Sequence, residues 1–120
     1  MTQLIEDLRN CLRARAHAGR PITYRDLAEA ISMPPPHRIH NLTLALEDLM
    51  REDHAAQRPL LAALAVSRGA AGIPGRGFFQ LLTELGRYEG PDQGPTAQSH
   101  YRRELAAAID YWANCPEKAP

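Results

Sequence analysis

Residues 22–53, read as Ile22-Thr23-Tyr24-Arg25-Asp26-Leu27-Ala28, a stop at Pro34-Pro35-Pro36, and then His37-Arg38-Ile39-His40-Asn41-Leu42-Thr43-Leu44-Ala45-Leu46 continuing to Asp53, decide the fold. A hydroxyl at Thr23 followed by a carboxylate at Asp26 is a capping box, which satisfies amide donors that a starting helix leaves open. Leu27, Ala28 and Ile31 supply a short buried stripe. Three prolines then end the helix, because proline has no amide donor and restricts the residue before it. A second helix is expected from about His37 to Asp53, with Ile39, Leu42, Ala45, Leu46, Leu49 and Met50 on one face. Two helices joined by a tight turn form a helix-turn-helix-like unit that presents the outer face of its second helix.

Outward from this unit, Leu4, Ile5, Leu8, Cys11 and Leu12 mark an amphipathic N-terminal helix over residues 1–19. The apolar run Leu60–Val66, bounded by Pro59 and by Ser67-Arg68-Gly69, reads as a buried strand. A glycine-rich loop follows, and then a helix carrying Phe78, Phe79, Leu81, Leu82 and Leu85. Residues 89–98 read as a linker on their glycine, proline and polar content. Tyr101, Leu105, Ala108, Ile109 and Trp112 mark a last helix over 99–115. The expected fold class is therefore α+β and mostly helical. It is a single domain whose winged helix-turn-helix-like core spans residues 20–88, with extra N- and C-terminal helices. Either terminal helix can pack on the core or pair with a second copy to give a dimer.

Composition limits the function. The chain has 120 residues, 44% of them hydrophobic and 23% charged, and its 14 basic residues balance 14 acidic ones. Zero net charge weighs against strong general DNA binding, which draws on a basic excess, while leaving room for a local basic face. No apolar run approaches the roughly 20 residues that span a bilayer, and the N-terminus has neither secretory nor transit character, so a cytoplasmic location is expected. Cys11 and Cys115 are expected as free thiols without a role.

Candidate chemistry is sparse. On the second helix of the central unit the face opposite the stripe carries His40, Asn41, Leu44, Glu47, Asp48 and Arg51. Arg38, His40, Asn41 and Thr43 suit base edges or phosphates, whereas Glu47, Asp48, Glu52 and Asp53 would be repelled by a phosphate backbone. Any DNA contact is thus confined to the first two turns. Leu44 could touch a thymine methyl or seat a protein. The glycine loop lacks the Lys-Ser/Thr of a Walker loop, having Arg76 and Gly77-Phe78 instead. It either holds one phosphate on free amides beside Arg68 and Arg76, or simply carries Phe78 and Phe79 into the core. His37 and His40 lack a third metal ligand, His54 and His100 read as solvated, and no serine or carboxylate pair suggests catalysis. Neither metal nor cofactor is expected, nor is enzyme activity.

Read together, Ile22–Ala28, Ile39–Leu46, Arg58-Pro59-Leu60 through Val66, the glycines, and Phe79-Gln80-Leu81-Leu82 to Glu89-Gly90 resemble the DNA-binding domain of O6-alkylguanine-DNA alkyltransferases and the alkyltransferase-like proteins. The resemblance covers about residues 20–90. It implies a winged-helix-like domain that reads the minor groove with the helix following the proline turn. The family's nucleophilic cysteine and its histidine fall on Leu60 and Leu61, which excludes alkyl transfer. Its intercalating arginine falls on His40 and its close-packing glycine on Thr43, which weighs against base flipping. Thr23, Tyr24 and Asn41 remain as backbone contacts.

The reading is a non-catalytic DNA-binding or regulatory module. Arg25 and Arg38 would meet phosphates, with Thr23 and Tyr24 beside them. His40, Asn41 and Thr43 would face the groove, and Arg68 and Arg76 would steady the flank. The alternative is a protein-interaction adaptor that docks a partner through Leu44, Glu47, Asp48 and Arg51.

Overall fold

A computed structural model describes residues 2–67 and 72–114. Among these residues the chain forms α1 (Thr2–Ala18), β1 (Ile22–Thr23), α2 (Tyr24–Ala30), α3 (Arg38–Ala55), a 3-10 helix (Leu61–Leu64), β2 (Ala65–Val66), α4 (Arg76–Glu84) and α5 (Pro95–Ala113). The architecture is a mostly helical α+β domain with one two-stranded parallel sheet, in which Ile22 pairs with Ala65 and Thr23 with Val66. No helix among the described residues is long and apolar enough to cross a membrane.

Local chemistry explains most of these elements. Thr23 caps α2, its hydroxyl accepting from the Asp26 amide at 3.2 Å. In α1 the residues Leu8, Leu12 and Ala16, spaced by four, are fully buried. In α3 the buried stripe is Leu42, Ala45, Leu46, Leu49 and Met50, joined by Asp53. Ile39, expected on that stripe, is instead 42% exposed. It sits in the first turn at the stripe's margin.

Three elements differ from the sequence reading. Leu60–Val66 is buried throughout, but only Ala65 and Val66 pair as a strand. Burial on every side, rather than strand geometry, accounts for the run's apolarity. Leu61–Leu64 coils as a 3-10 helix, with the Ala63 amide on the Leu60 carbonyl at 3.1 Å. The expected linker 89–98 is shorter, because α5 already starts at Pro95. The fixed φ of proline suits a first helical position, where no amide is needed. His37 is the left-handed N-cap of α3 rather than a helical residue, so it does not share a helical face with His40.

The terminal helices pack on each other, and both contact the 3-10 helix. The indole of Trp112 on α5 donates to the Pro59 carbonyl at 2.9 Å, and Tyr101 Oη donates to the Ala63 carbonyl at 2.9 Å. Between α4 and α5, Tyr88 Oη donates to the Pro91 carbonyl at 2.7 Å, which holds its ring against Gly90. Gly90 has φ +155°, and a Cβ there would lie 2.7 Å from Tyr88 Oη and 2.9 Å from Cζ. Gly90→Ala is therefore expected to lower stability by about 1–3 kcal/mol, as overpacking does, measured by urea unfolding.

Candidate functional site

The flank of α3 that carries Thr43, Leu46, Glu47 and Met50, beside its buried stripe, and the start of α4 border one cleft. Leu46, Met50, Ala62 and Phe78 supply its apolar lining, and Tyr24, Thr43, Glu47, Gly75 and Gly77 complete it. Tyr24 is brought there by the Thr23 cap, and the Gly75 amide donates to its Oη at 2.9 Å. That bond ties the end of the glycine loop to the start of α2. Burial raises the Tyr24 phenol above its ordinary value, with the Gly75 hydrogen bond opposing. Burial also raises Tyr101, helped by the nearby Tyr24. A raised folded-state pKa gives stability that is complete below the unfolded phenol's value of about 10 and is lost as pH climbs past it. Stability is therefore expected to fall above about pH 10, with Tyr24 and Tyr101 ionising later than a free phenol in an ultraviolet absorbance titration.

The sequence-derived contact residues are placed unevenly. Arg25 is exposed and reaches Glu29 only at 3.9 Å. Arg38 spends its Nε on the Met33 carbonyl at 2.8 Å, closing the turn before α3. His40 and Asn41 are exposed, although the Asn41 amide also reaches the Pro36 carbonyl at 3.3 Å. Thr43 bonds back to the His40 carbonyl at 2.7 Å. Leu44 is 48% exposed. Arg51 lies 3.9 Å from Glu47 and 3.4 Å from Asp48, so this stretch partly neutralises itself. Arg76 is drawn to Asp92 at 3.4 Å. Hydrogen bonds from Gln80 and from Arg76 hold the Asp92 carboxyl below the usual range. Arg68 and Cys115 lie outside the described residues. Cys11 is half-buried, and burial pushes its thiol up, away from the reactive thiolate.

The start of α4 carries no side-chain cap, and the Glu47 carboxylate stands beside it: a Cβ on Gly77 would lie 3.6 Å from Glu47 Oε2. A carboxylate already near those amides opposes a phosphate there. The expectation that the glycine loop, Arg68 and Arg76 hold a phosphate therefore gains nothing from this geometry.

Sequence reading missed two buried carboxylates. Asp53 is fully buried. Its Oδ1 accepts from Arg9 Nη1 at 2.9 Å and from Arg58 at 2.9 and 3.2 Å, and its Oδ2 accepts from the Leu61 amide at 3.1 Å. Glu104 accepts from Arg87 at 3.1 and 3.4 Å and contacts His100 at 3.0 Å. Arg87 also meets His54 at 3.3 Å, so His54 and His100 are partnered rather than freely solvated. Their signal was available. Asp53 lies three and four residues past Met50 and Leu49 on the buried stripe, and Glu104 three past Tyr101. Both clusters join elements of the core rather than facing the cleft. Among the described residues no group of three or more His, Cys, Asp or Glu is placed to hold a metal ion. Leu60 and Leu61 are fully buried, which leaves neither a nucleophile nor access at those positions.

No protein-family model, curated protein or solved structure matches the chain significantly.

Proposed function

We propose that this chain is a non-catalytic, winged-helix-like DNA-binding module that meets the duplex with the N-terminal half of α3. One observation carries the reading: the start of α3 is exposed, has no side-chain cap and has no acidic residue in its first turn. Its free amides and the positive end of the helix dipole favour a phosphate. His37, His40 and Asn41 are exposed around that end, with Arg38 half-buried beside them. The first carboxylate on α3 is Glu47, nine residues after Arg38, or about 13 Å along the axis at 1.5 Å per residue. That exceeds the screening length of about 8 Å at physiological salt, so the acidic half does not cancel contact at the start. The alkyltransferase-like layout of residues 20–90 adds to this reading. Alkyl transfer is excluded from it, because Leu60 and Leu61 stand at the reactive positions.

Arg76 is tied to Asp92, so the phosphate contacts reduce to about three or four. Anisotropy of a labelled duplex between 50 and 200 mM salt should then give a log–log slope of about −3 to −4. Arg25→Ala with Arg38→Ala should flatten the slope by about 2 and weaken all sequences alike. Undetectable binding at the low-salt end, or a slope near zero, would overturn the proposal.

A second reading has its own observation. Leu44 is 48% exposed amid charges that Arg51 partly neutralises, a surface that suits a protein partner. On that reading Leu44→Asp abolishes a protein complex while the variant stays folded by circular dichroism.

A further inference from the structure

We infer that the cleft between α3 and the start of α4 is a binding site for a small organic cation, a protonated amine or guanidinium carried on a short apolar stem. This inference does not depend on the DNA reading. Four nearly buried side chains, Leu46, Met50, Ala62 and Phe78, form the apolar floor of the cleft. Its one acidic side chain is Glu47, which is partly withdrawn from solvent. Arg51 lies 3.9 Å from Glu47 and 3.4 Å from Asp48, and such exposed pairs contribute little. The carboxylate thus has capacity left for a second cation. Across the cleft, the Tyr24 oxygen accepts from the Gly75 amide, and its second lone pair remains to accept from a cationic guest.

The glycines set the width. Cβ atoms at Gly75 and Gly77 would project to 3.8 Å from Tyr24 and 3.6 Å from Glu47, at ordinary contact distance. Neither glycine is therefore required by steric conflict, and their bareness leaves space in front of the polar groups. The open space is about 70 Å³, room for about two waters at roughly 30 Å³ each. It suits a stem of a few carbons. An anion of the same size is disfavoured by Glu47, and a neutral molecule forgoes the charge-assisted hydrogen bond.

The test is a ¹H–¹⁵N correlation titration of the full chain with n-butylguanidinium. Saturable shifts are expected at Glu47, Gly75, Gly77 and Phe78, with butyrate and n-butanol producing none there. Glu47→Gln should weaken binding at least tenfold. Gly77→Ala narrows the cleft in front of Glu47 and replaces glycine by the best helix former. It should lose binding with an unchanged or raised Tm, which keeps the test decisive if Glu47→Gln folds poorly. Binding of N-acetylarginine amide at the same residues would assign the cation to a peptide side chain, and its exclusion would assign it to a free small molecule; either supports the site. Equal binding of butyrate or n-butanol, full affinity in folded Glu47→Gln or Gly77→Ala, or no saturable shift at the cleft would overturn it.

Discussion

Replacing Asp53 by alanine is expected to cost about 3–5 kcal/mol of folding stability, the usual result of removing one partner of a buried ion pair. A domain of this size has about 5–15 kcal/mol in total, so the loss is a large share of the stability. The reason is geometric. The Asp53 carboxylate, fully buried at the end of α3, is shared by Arg9 from α1, by Arg58 from the turn after α3 and by the Leu61 amide that opens the 3-10 helix. Without it Arg58 loses its carboxylate partner, Arg9 keeps only the exposed Glu52 at 2.9 Å, and a buried amide loses its acceptor. Asp53→Asn keeps the volume and an acceptor, and should lose less. Urea denaturation of both variants checks this, and a loss below about 1 kcal/mol for alanine, typical of a surface pair, would contradict the role given to Asp53.

Trp112→Ala should be nearly as damaging, at about 3–5 kcal/mol. The indole is almost fully buried and donates to the Pro59 carbonyl. The guanidinium carbons of Arg58, Arg13 and Arg9 lie 5.6, 5.7 and 5.8 Å from its centroid. Cations over a tryptophan face add about 0.5–1 kcal/mol each at accessible sites, so Trp112→Phe should retain most of the packing and lose about 1–2 kcal/mol. The neighbouring Tyr111 is 40% exposed and serves as the internal control: Tyr111→Ala should cost under about 1 kcal/mol. Equal losses at the two positions would show that α5 is not anchored through the indole. Asp53 and Trp112 share Arg9 and Arg58, so the double variant should lose less than the sum of the singles.

Much of the helical layout was legible because it is governed by local rules. Thr23 and Asp26 announce the start of α2, the proline run announces its end, and the spacing of Leu42, Leu46, Leu49 and Met50 announces α3. The 3-10 helix was not legible. Leu60–Val66 is apolar because it is enclosed on every side, and apolarity without periodicity does not distinguish a strand from a tight coil. Pro95 was read as linker chemistry although proline serves equally at a first helical turn. At the candidate site the exposed residues His40, Asn41 and Leu44 followed from the helical wheel. The pairing of Tyr24 with Gly75, 51 residues away, and the convergence of Arg9, Arg58 and Leu61 on Asp53 could not, because a wheel contains no tertiary partners. Asp53 on an apolar stripe was a visible anomaly, and a polar residue in that position asks for buried donors.

The central claim, that the start of α3 is where this chain meets a duplex, is tested most directly by amide chemical-shift mapping on addition of a short double-stranded DNA at low salt. The largest changes are expected at residues 37–44 and at Arg25, fading towards Glu47 and Asp48 and absent from α5. Changes centred on α5 or on the acidic end of α3, or none at all, would contradict it.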